Sequence, residues 1–270
     1  MKNLNGKVAV VTGAAGGIGR ATAVEFARRV CDLALADRNL EGLKETAVLV
    51  EGLGRKASIH EVNVMQREQV EALPESVLQE HGHVHILMNN AGITYEKNWV
   101  DHSMEDIERI VGVNCWGVLY GCKSFIPYLE KEDEAHIINM SSMLAFMGMP
   151  TQSTYAFTKS AIRGFSEALW AELQPTSIGL TCVYPGAVRT EILKTAAKHS
   201  VDEAKTLETA ALVDRFAMAP EKAARKIVDA VVANKMRLLL GVDAKAVEFL
   251  KRCFPVSIHK IAAWGFQKRS

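Results

Sequence analysis

The sequence has little of what would place it in a specialised class. It contains only five cysteines, and none of them forms a CxxC pair. They are Cys31, Cys115, Cys122, Cys182 and Cys253. An odd, scattered set fits neither a disulfide framework nor a zinc site, and it favours a reducing compartment. The apolar run at residues 8–11 is too short for a signal peptide or a membrane span, so we expect a soluble, cytoplasmic protein.

The chain also lacks an excess of charge of either sign. It has 32 Lys and Arg against 31 Asp and Glu, a formal net charge of +1. No global field would therefore attract nucleic acid, and no nucleic-acid partner is expected. No repeat, low-complexity tract or linker divides the 270 residues, of which 49% are hydrophobic. We expect residues 1–270 to form a single domain with a large core.

Short apolar runs alternate with segments of helical periodicity. Strands are predicted at residues 8–12, 33–37, 58–62, 86–89, 136–140, 180–184 and 237–240. Helices are predicted at residues 18–29, 40–53, 67–80, 104–129, 155–173 and 221–233. This alternation predicts an α/β fold: a doubly wound, seven-stranded, mostly parallel sheet with helices on both faces. Ligands of such sheets bind beyond the carboxyl ends of the strands.

The first predicted strand runs directly into a glycine-rich turn that opens a helix. The turn reads TGAAGGIG over residues 12–19 and contains Gly13, Gly17 and Gly19. Glycine lets the backbone turn tightly and approach a pyrophosphate, whose charge is attracted by the start of the helix. The order of strand, glycines, helix and a later acid favours a dinucleotide site over an ordinary tight loop.

The later acid is Asp37, which lies 20 residues beyond Gly17 at the end of the second predicted strand. A carboxylate there can accept hydrogen bonds from the adenosine ribose, although a solvated strand end is the alternative. It would repel a 2′-phosphate, so NAD is the favoured cofactor. The adjacent Arg38 could bind such a phosphate, which keeps NADP open.

Ser142 follows the fifth predicted strand, and Tyr155 and Lys159 come next with a spacing of four residues. On a helix this spacing places two side chains one turn apart, so both can contact one ligand. The alternative is an amphipathic surface pair. Further segments that fall near the same sheet edge weaken that alternative. They are NNAG at residues 89–92, Asn114, and YPG at residues 184–186.

Over roughly residues 5 to 240 these motifs together resemble the short-chain dehydrogenase/reductase family. The matching segments are TGAAGGIG, NNAG, the Asn of VNCWG, the second Ser of NMSS, YAFTK and the PG of YPGAVRT. The resemblance implies a Rossmann-type fold and hydride transfer between a nicotinamide cofactor and a secondary alcohol or ketone. It implies a catalytic tetrad of Asn114, Ser142, Tyr155 and Lys159. It also implies cofactor contacts from Gly13, Gly17, Ile18, Gly19, Asp37, Asn90, Ala91, Gly92, Tyr155, Lys159, Pro185, Gly186, Val188 and Thr190.

Two positions depart from the family pattern. Asn63 precedes Val64 where family members usually carry Asp beside the adenine, and an amide can still form a hydrogen bond there. We therefore retain Asn63 and Val64 as expected cofactor contacts. His85 stands where Asp commonly begins the fourth strand, and we expect this to affect local packing only.

A phenol with a pKa of about 10 needs roughly 3 to 4 kcal/mol to shift by ~2 to 3 units. A Lys ammonium about 4 Å away can supply that amount at an effective dielectric of about 20. We therefore expect Lys159 to lower the pKa of Tyr155, which would exchange a proton with the substrate oxygen. Ser142 would hydrogen-bond that oxygen, Lys159 would hold the nicotinamide ribose, and Asn114 could anchor a proton-relaying water.

Two irregular segments interrupt the alternation. The first, residues 191–219, is a candidate substrate lid, and an apolar loop at residues 143–150 follows Ser142. The lid contributes the apolar residues Ile192, Leu193, Leu207, Leu212, Val213, Phe216 and Met218. These side chains favour a hydrophobic substrate, or else they pack against one another or a subunit.

The second segment is the C-terminal extension, residues 242–270, which is rich in apolar, aromatic and basic side chains. It could cover the substrate site, extend a subunit interface or contact a membrane. Docking on the protein is favoured because Pro255 interrupts any long helix. Surplus apolar residues on the helices at 104–129 and 155–173 predict self-association, and the family resemblance implies a homodimer or homotetramer built on these helices.

No metal site is expected. His81, His83 and His85 alternate, but Gly82 and the expected absence of nearby carboxylate or thiolate partners favour a turn over a metal site, and residues 131–134 are most simply a solvated loop. Two rivals to an NAD-linked enzyme remain. They are an NADP-dependent carbonyl reductase and a non-catalytic nucleotide sensor on the same fold.

Overall fold

The computed structural model describes residues 1, 3–197 and 199–267. These residues form one seven-stranded sheet of strand order β3-β2-β1-β4-β5-β6-β7, and every neighbouring pair of strands is parallel. The strands are β1 (Val8–Thr12), β2 (Asp32–Asp37), β3 (Ala57–Glu61), β4 (Ile86–Asn89), β5 (Ala135–Met140), β6 (Ile178–Pro185) and β7 (Arg237–Leu240). The predicted strands and the doubly wound parallel sheet are confirmed.

Eleven α-helices accompany the sheet in the described part of the chain. They are α1 (Gly17–Arg28), α2 (Leu40–Glu51), α3 (Arg67–His81), α4 (Met104–Val111), α5 (Gly117–Leu129), α6 (Ser153–Glu172), α7 (Ile192–Ala197), α8 (Glu203–Phe216), α9 (Pro220–Val232), α10 (Val242–Cys253) and α11 (Ser257–Gln267). The helix predicted over residues 104–129 is present as one continuous helical segment, in which a π-helical turn at Gly112–Trp116 lies between α4 and α5.

Burial on both faces of the sheet explains the apolar strands. All five residues of β1 are buried, and they alternate between two hydrophobic clusters on opposite faces. Val8 and Val10 face Phe125 of α5, whereas Val11 shares a cluster with Phe26 of α1. Period-two alternation of this kind is the geometry of a strand covered by helices on both sides. Each fully buried large side chain contributes about 1.5 to 3 kcal/mol, so the sheet is a rigid base for its carboxyl edge.

His85 organises the opposite edge of the sheet. Its Nδ1 accepts a hydrogen bond from the Val8 amide at 3.1 Å, and its Nε2 lies 3.2 Å from an oxygen of Glu132. The other Glu132 oxygen lies 3.0 Å from Nδ1 of His83. The expectation that no carboxylate approaches these histidines was therefore wrong, because folding brings Glu132 beside them. Burial lowers the pKa of His85 to about 4, and the neutral ring carries its proton on Nε2. That proton points at Glu132, which favours a hydrogen-bond network over a metal ligand set.

Helices α7 and α8 form the 191–219 segment, and α10 and α11 form the 242–270 extension, of which residues 268–270 lie outside the described part. Within the described residues, no helix combines the length and apolar character that crossing a bilayer requires. Helix α10 contacts β7 and the turn Met143–Ala145 that follows β5. The extension is thereby attached to the same sheet edge as the candidate site.

Candidate active site

A cavity of about 430 Å³ lies at the carboxyl edge of the sheet. Most of the site residues expected from the sequence line it. They are Gly13, Gly17, Ile18, Asp37, Arg38, Asn63, Val64, Asn90, Ala91, Gly92, Ser142, Tyr155, Lys159, Pro185, Gly186, Val188 and Thr190. Gly19 and Asn114 lie behind the wall, where they shape it without lining it.

The glycine turn packs so closely against itself and against Asn90 that there is no room for a side chain at Gly13 or Gly19. Gly13 and Gly17 adopt φ of +69° and +53°, a region that favours glycine. A Cβ on Gly13 would lie 2.7 Å from Nδ2 of Asn90, and one on Gly19 would lie 2.1 Å from the Gly13 carbonyl oxygen. Helix α1 begins after Gly16 with no side-chain cap and no acid in its first turn. Its N-terminus therefore presents amide groups and a positive dipole to the cavity.

Thr12 joins the glycine turn to the NNAG loop, and the sequence reasoning missed it. Its hydroxyl accepts hydrogen bonds from the amides of Asn90 at 3.0 Å and Ala91 at 3.1 Å. It donates to the Met88 carbonyl at 3.3 Å, and Nδ2 of Asn90 donates to the Thr12 carbonyl at 2.9 Å. The only sequence signal was a small hydroxyl residue directly before Gly13. These bonds hold two loops that are 78 residues apart in register.

Asp37 is fixed in place by the backbone around it. One carboxylate oxygen accepts from the Ala15 amide at 3.2 Å, and the other accepts from the Asn39 amide at 3.0 Å. Arg38 is exposed, and among the described residues no hydrogen bond or ion pair engages its guanidinium. Further along the wall, Oδ1 of Asn63 accepts from the Met65 amide at 3.1 Å. The cavity thus combines an oriented carboxylate with an adjacent uncommitted cation.

Helix α6 places Tyr155 and Lys159 one turn apart at the cavity wall. Lys159 is 4% exposed, and its Nζ donates to the Met140 carbonyl at 2.9 Å and lies 5.5 Å from the centre of the Tyr155 ring. Ser142, two residues beyond the end of β5, lines the same cavity as Tyr155. Its Oγ accepts from the Leu144 amide at 3.2 Å, which fixes the hydroxyl. The structure therefore brings together the Ser, Tyr and Lys expected from the sequence.

The expectation that Lys159 lowers the pKa of Tyr155 was wrong for this structure. Burial raises the pKa of Tyr155 to about 12, and the neighbouring Ser142 hydroxyl opposes that rise only in part. Burial also lowers the pKa of Lys159 to about 8, because the packed interior disfavours its ammonium form. A charged amine would lower the pKa of the phenol, but the desolvation of both groups is the larger effect in this structure.

Asn114 lies at the π-helical turn and is fully buried. Its Oδ1 accepts from the Ile93 amide at 2.9 Å, and its Nδ2 donates to the Ile93 carbonyl at 2.9 Å and to the Thr158 hydroxyl at 3.1 Å. A Cβ on Gly92 would lie 3.4 Å from Oδ1 of Asn114 and 3.5 Å from Nζ of Lys159. Because glycine has no side chain, Oδ1 of Asn114 and Nζ of Lys159 border the same space beside Gly92.

The far end of the cavity differs from the apolar wall that the sequence suggested. In the described part of the chain, no residue of the 143–150 loop lines the cavity, and Phe146 is buried in the core 4.8 Å from Tyr184, measured between ring centres. Among the apolar side chains of the 191–219 segment that the structure describes, only Ile192 lines the cavity. Phe216 is 86% exposed to solvent. The side chain of Leu193 is not among those the structure describes. The end wall instead mixes polar and apolar groups. Its lining includes Thr94, Tyr95, Ile192, Thr195 and His199, together with Arg109 and Glu191.

Comparison with known proteins identifies the family to which this chain belongs. A model described as short chain dehydrogenase matches residues 7–201. The chain is 38% identical over 272 residues to the putative oxidoreductase SadH of Mycobacterium tuberculosis, covering 99% of this chain and 98% of SadH. The chain belongs to the short-chain dehydrogenase family. As such it is an oxidoreductase, and the family expected from the motifs is confirmed.

Two further relatives of this short-chain dehydrogenase are informative. Human estradiol 17-beta-dehydrogenase 11 is 35% identical over 257 residues, which cover 94% of this chain and 81% of that protein. A short-chain dehydrogenase/reductase from Burkholderia phymatum, solved in complex with NAD, superposes with a TM-score of 0.87 at 26% identity. That alignment covers 93% of this chain and 95% of the solved chain. The similarity therefore includes parts of the 191–219 segment and of the C-terminal extension.

Proposed function

We propose that this chain transfers a hydride between a nicotinamide cofactor and the carbon of a secondary alcohol or ketone, with Tyr155 as the proton donor and acceptor. The observation that carries the proposal is that one cavity joins the glycine turn and Asp37 at one end to Ser142, Tyr155 and Lys159 at the other. A dinucleotide held at the first end would direct its reactive ring toward the second.

NAD fits the residues that are present. The uncapped start of α1 and the close-approach glycines suit a pyrophosphate, and the oriented carboxylate of Asp37 suits the hydroxyls of the adenosine ribose. The solved relative from Burkholderia phymatum binds NAD. Arg38 keeps NADP as the second cofactor, because its uncommitted guanidinium lines the same end of the cavity. The bound cofactor supplies or accepts the hydride.

In this mechanism the chain's own groups manage the proton and the substrate oxygen. A Tyr155 hydroxyl with a raised pKa keeps its proton near neutral pH, so it can donate that proton to a carbonyl oxygen during reduction. Ser142 hydrogen-bonds the same oxygen and fixes its position. Lys159 holds the ribose, and Asn114 with Lys159 borders the space beside Gly92 through which a proton would return from solvent.

For the substrate we propose a moderately large, hydrophobic secondary alcohol or ketone. Estradiol, which gives its name to the human relative, is of that kind. The polar groups Thr94, Thr195 and His199 in the end wall suit a substrate that carries at least one more polar atom. A panel of bulky apolar alcohols and short hydroxy acids tests this class, and faster turnover of the hydroxy acids would contradict it.

We also propose that the chain is a homodimer or homotetramer in the reducing cytoplasm. Large apolar side chains remain exposed on and beside helices α4 to α6, among them Trp99 at 60%, Trp116 at 50% and Phe157 at 61%. All five cysteines are unpaired, and four of them are buried. Light scattering of the purified chain measures the association state directly.

Tyr155→Phe tests the proposed chemistry. The variant removes one oxygen from a half-buried ring, so we expect turnover with either cofactor to fall by about 10³-fold or more. Binding of NADH, followed by fluorescence, should change less than about threefold. Tyr128→Phe, a partly buried tyrosine of α5 outside the cavity, is the matched control. Unchanged turnover would refute the role of Tyr155, and cofactor binding without turnover of any substrate by the wild type would favour a nucleotide sensor.

A further inference from the structure

The C-terminal extension carries a cluster of exposed apolar side chains, which we name the tail patch. Its members lie on α10, on α11 and on the turn between them. They are Phe249 at 62% exposure, Leu250 at 40%, Phe254 at 54%, Val256 at 66%, Ile261 at 67% and Trp264 at 58%. The sequence favoured docking of this segment on the protein, and within this single chain these six side chains remain exposed. Ile258 of α11, by contrast, is buried at 5% exposure.

From Phe249 onward every charged residue of the extension is basic, and Glu248 directly precedes this stretch. Residues 249–270 contain five Lys and Arg and no Asp or Glu. Without these five cations the formal charge of the chain, +1 overall, would be −4. The near-zero net charge thus conceals a segregated distribution, with a basic segment attached to an otherwise acidic protein.

The basic groups lie beside the apolar ones. Nζ of Lys251 donates to the Pro255 carbonyl at 2.9 Å and contacts Nε2 of His259 at 2.7 Å, which holds an ammonium at the turn between Phe254 and Val256. On α11, Lys260 directly precedes Ile261. Only one cation of the described part of the segment is paired with an acid, since Arg252 lies 2.6 Å from Glu248.

We propose that the tail patch docks this protein on an anionic lipid bilayer, with α10 and α11 lying in the interface. Aromatic and aliphatic side chains enter the boundary between headgroups and acyl chains, while neighbouring ammonium groups contact lipid phosphates. Helices of 12 and 11 residues are too short to cross a bilayer but long enough to lie on one.

A second copy of the chain fits this surface less well. Pairing two tail patches would bring together two segments that each carry five cations and no acid, and like charges at an interface oppose association. An anionic bilayer complements that charge and covers the apolar side chains at the same time. The proposal is independent of the dehydrogenase reaction, because no tail-patch residue lines the described cavity.

Co-sedimentation with vesicles tests the proposal on the full chain. We expect binding to vesicles of phosphatidylcholine and phosphatidylglycerol at 3:1, at least tenfold weaker binding to phosphatidylcholine alone, and weakening by 0.5 M NaCl. F254S/V256S/I261S should reduce binding to the anionic vesicles at least tenfold. K251Q/K260Q should reduce it by roughly fivefold for each charge removed.

The matched control is V100S/F216S, which removes two apolar side chains that are each 86% exposed but lie outside the extension. It should bind vesicles as the wild type does. Circular dichroism and NADH binding verify that every variant is folded. Failure of the wild type to bind anionic vesicles, equal loss in the control, or conversion of a stable oligomer to monomers by the tail variants without any change in lipid binding would each overturn the proposal.

Discussion

Asp243, in the first turn of α10, accepts a hydrogen bond from the Ala187 amide at 2.6 Å. The two residues are 56 positions apart, and the bond joins the C-terminal extension to the loop that follows β6. The fit is close, since a Cβ on Gly186 would lie 2.1 Å from the Asp243 carboxylate oxygens. The Gly186 amide donates to the Leu240 carbonyl at 2.8 Å, so the loop is held at two points. Because Pro185, Gly186 and Val188 line the cavity, Asp243 positions a wall of the site without lining it.

Asp243→Ala should therefore weaken cofactor binding. Loss of a charge-assisted hydrogen bond costs about 1.5 to 3 kcal/mol, and we expect the NADH dissociation constant to rise roughly tenfold or more. Asp243→Asn keeps an acceptor oxygen and should recover part of the loss. Fluorescence titration with NADH measures both variants. An Asp243→Ala protein that binds NADH as tightly as the wild type would show that the β6 loop needs no such support.

Asp37→Ser should shift the cofactor preference toward NADP. The substitution removes the carboxylate that would repel a 2′-phosphate and leaves the uncommitted guanidinium of Arg38 beside it. We expect the ratio of kcat/KM for NADP to that for NAD to rise by about tenfold or more. The double variant D37S/R38A should lose most of the gain. An unchanged ratio in D37S would place the adenosine ribose away from Asp37.

Gly19→Ala should destabilise the nucleotide-binding turn. Its Cβ would lie 2.1 Å from the Gly13 carbonyl oxygen, a backbone atom that cannot move away alone. Overpacking of this kind costs about 1 to 3 kcal/mol. Gly16→Ala is the matched control, because nothing lies within 4 Å of its Cβ and its φ of −172° suits any residue. Urea denaturation should separate the two variants, and equal stability would contradict the close packing described here.

His136 should make the fold sensitive to acid. It is fully buried in β5, with Nε2 2.8 Å from the Thr181 hydroxyl, and burial lowers its pKa from 6.5 to about 3. Between these values the unfolded chain binds a proton that the folded chain excludes, so stability is complete above pH 6.5 and falls as the pH falls. The expected slope is about 1.4 kcal/mol per pH unit for this one group.

His136→Gln should remove that contribution. We expect the free energy of unfolding, measured with urea between pH 6 and pH 4.5, to fall less steeply in the variant than in the wild type. His85, whose pKa burial lowers to about 4, supplies a second contribution that should persist in His136→Gln. Well above pH 6.5, for example near pH 8, the difference in free energy of unfolding between the two proteins should no longer change with pH. Parallel curves across the acid range would show that His136 takes up a proton without unfolding.

The sequence by itself determined the sheet, the glycine turn and the spacing of Tyr155 and Lys159. Each of these depends on neighbours within a few positions: period-two burial defines the strands, positive φ requires glycine, and four residues make about one helical turn. The motifs also determined the family. Information of this kind depends on residues that are close together in the sequence, so it can be read without knowing the fold.

Only the tertiary structure decided which distant groups meet and what their surroundings do to them. Glu132 reaches His85, Thr12 holds Asn90, and Asp243 holds Ala187, all across loops whose ends are brought together by packing. The pKa of Tyr155 rises where the sequence argument expected a fall, because desolvation depends on every atom packed around a group and not on one charged neighbour. The exposure of the tail patch likewise depends on which surfaces the rest of the fold leaves uncovered.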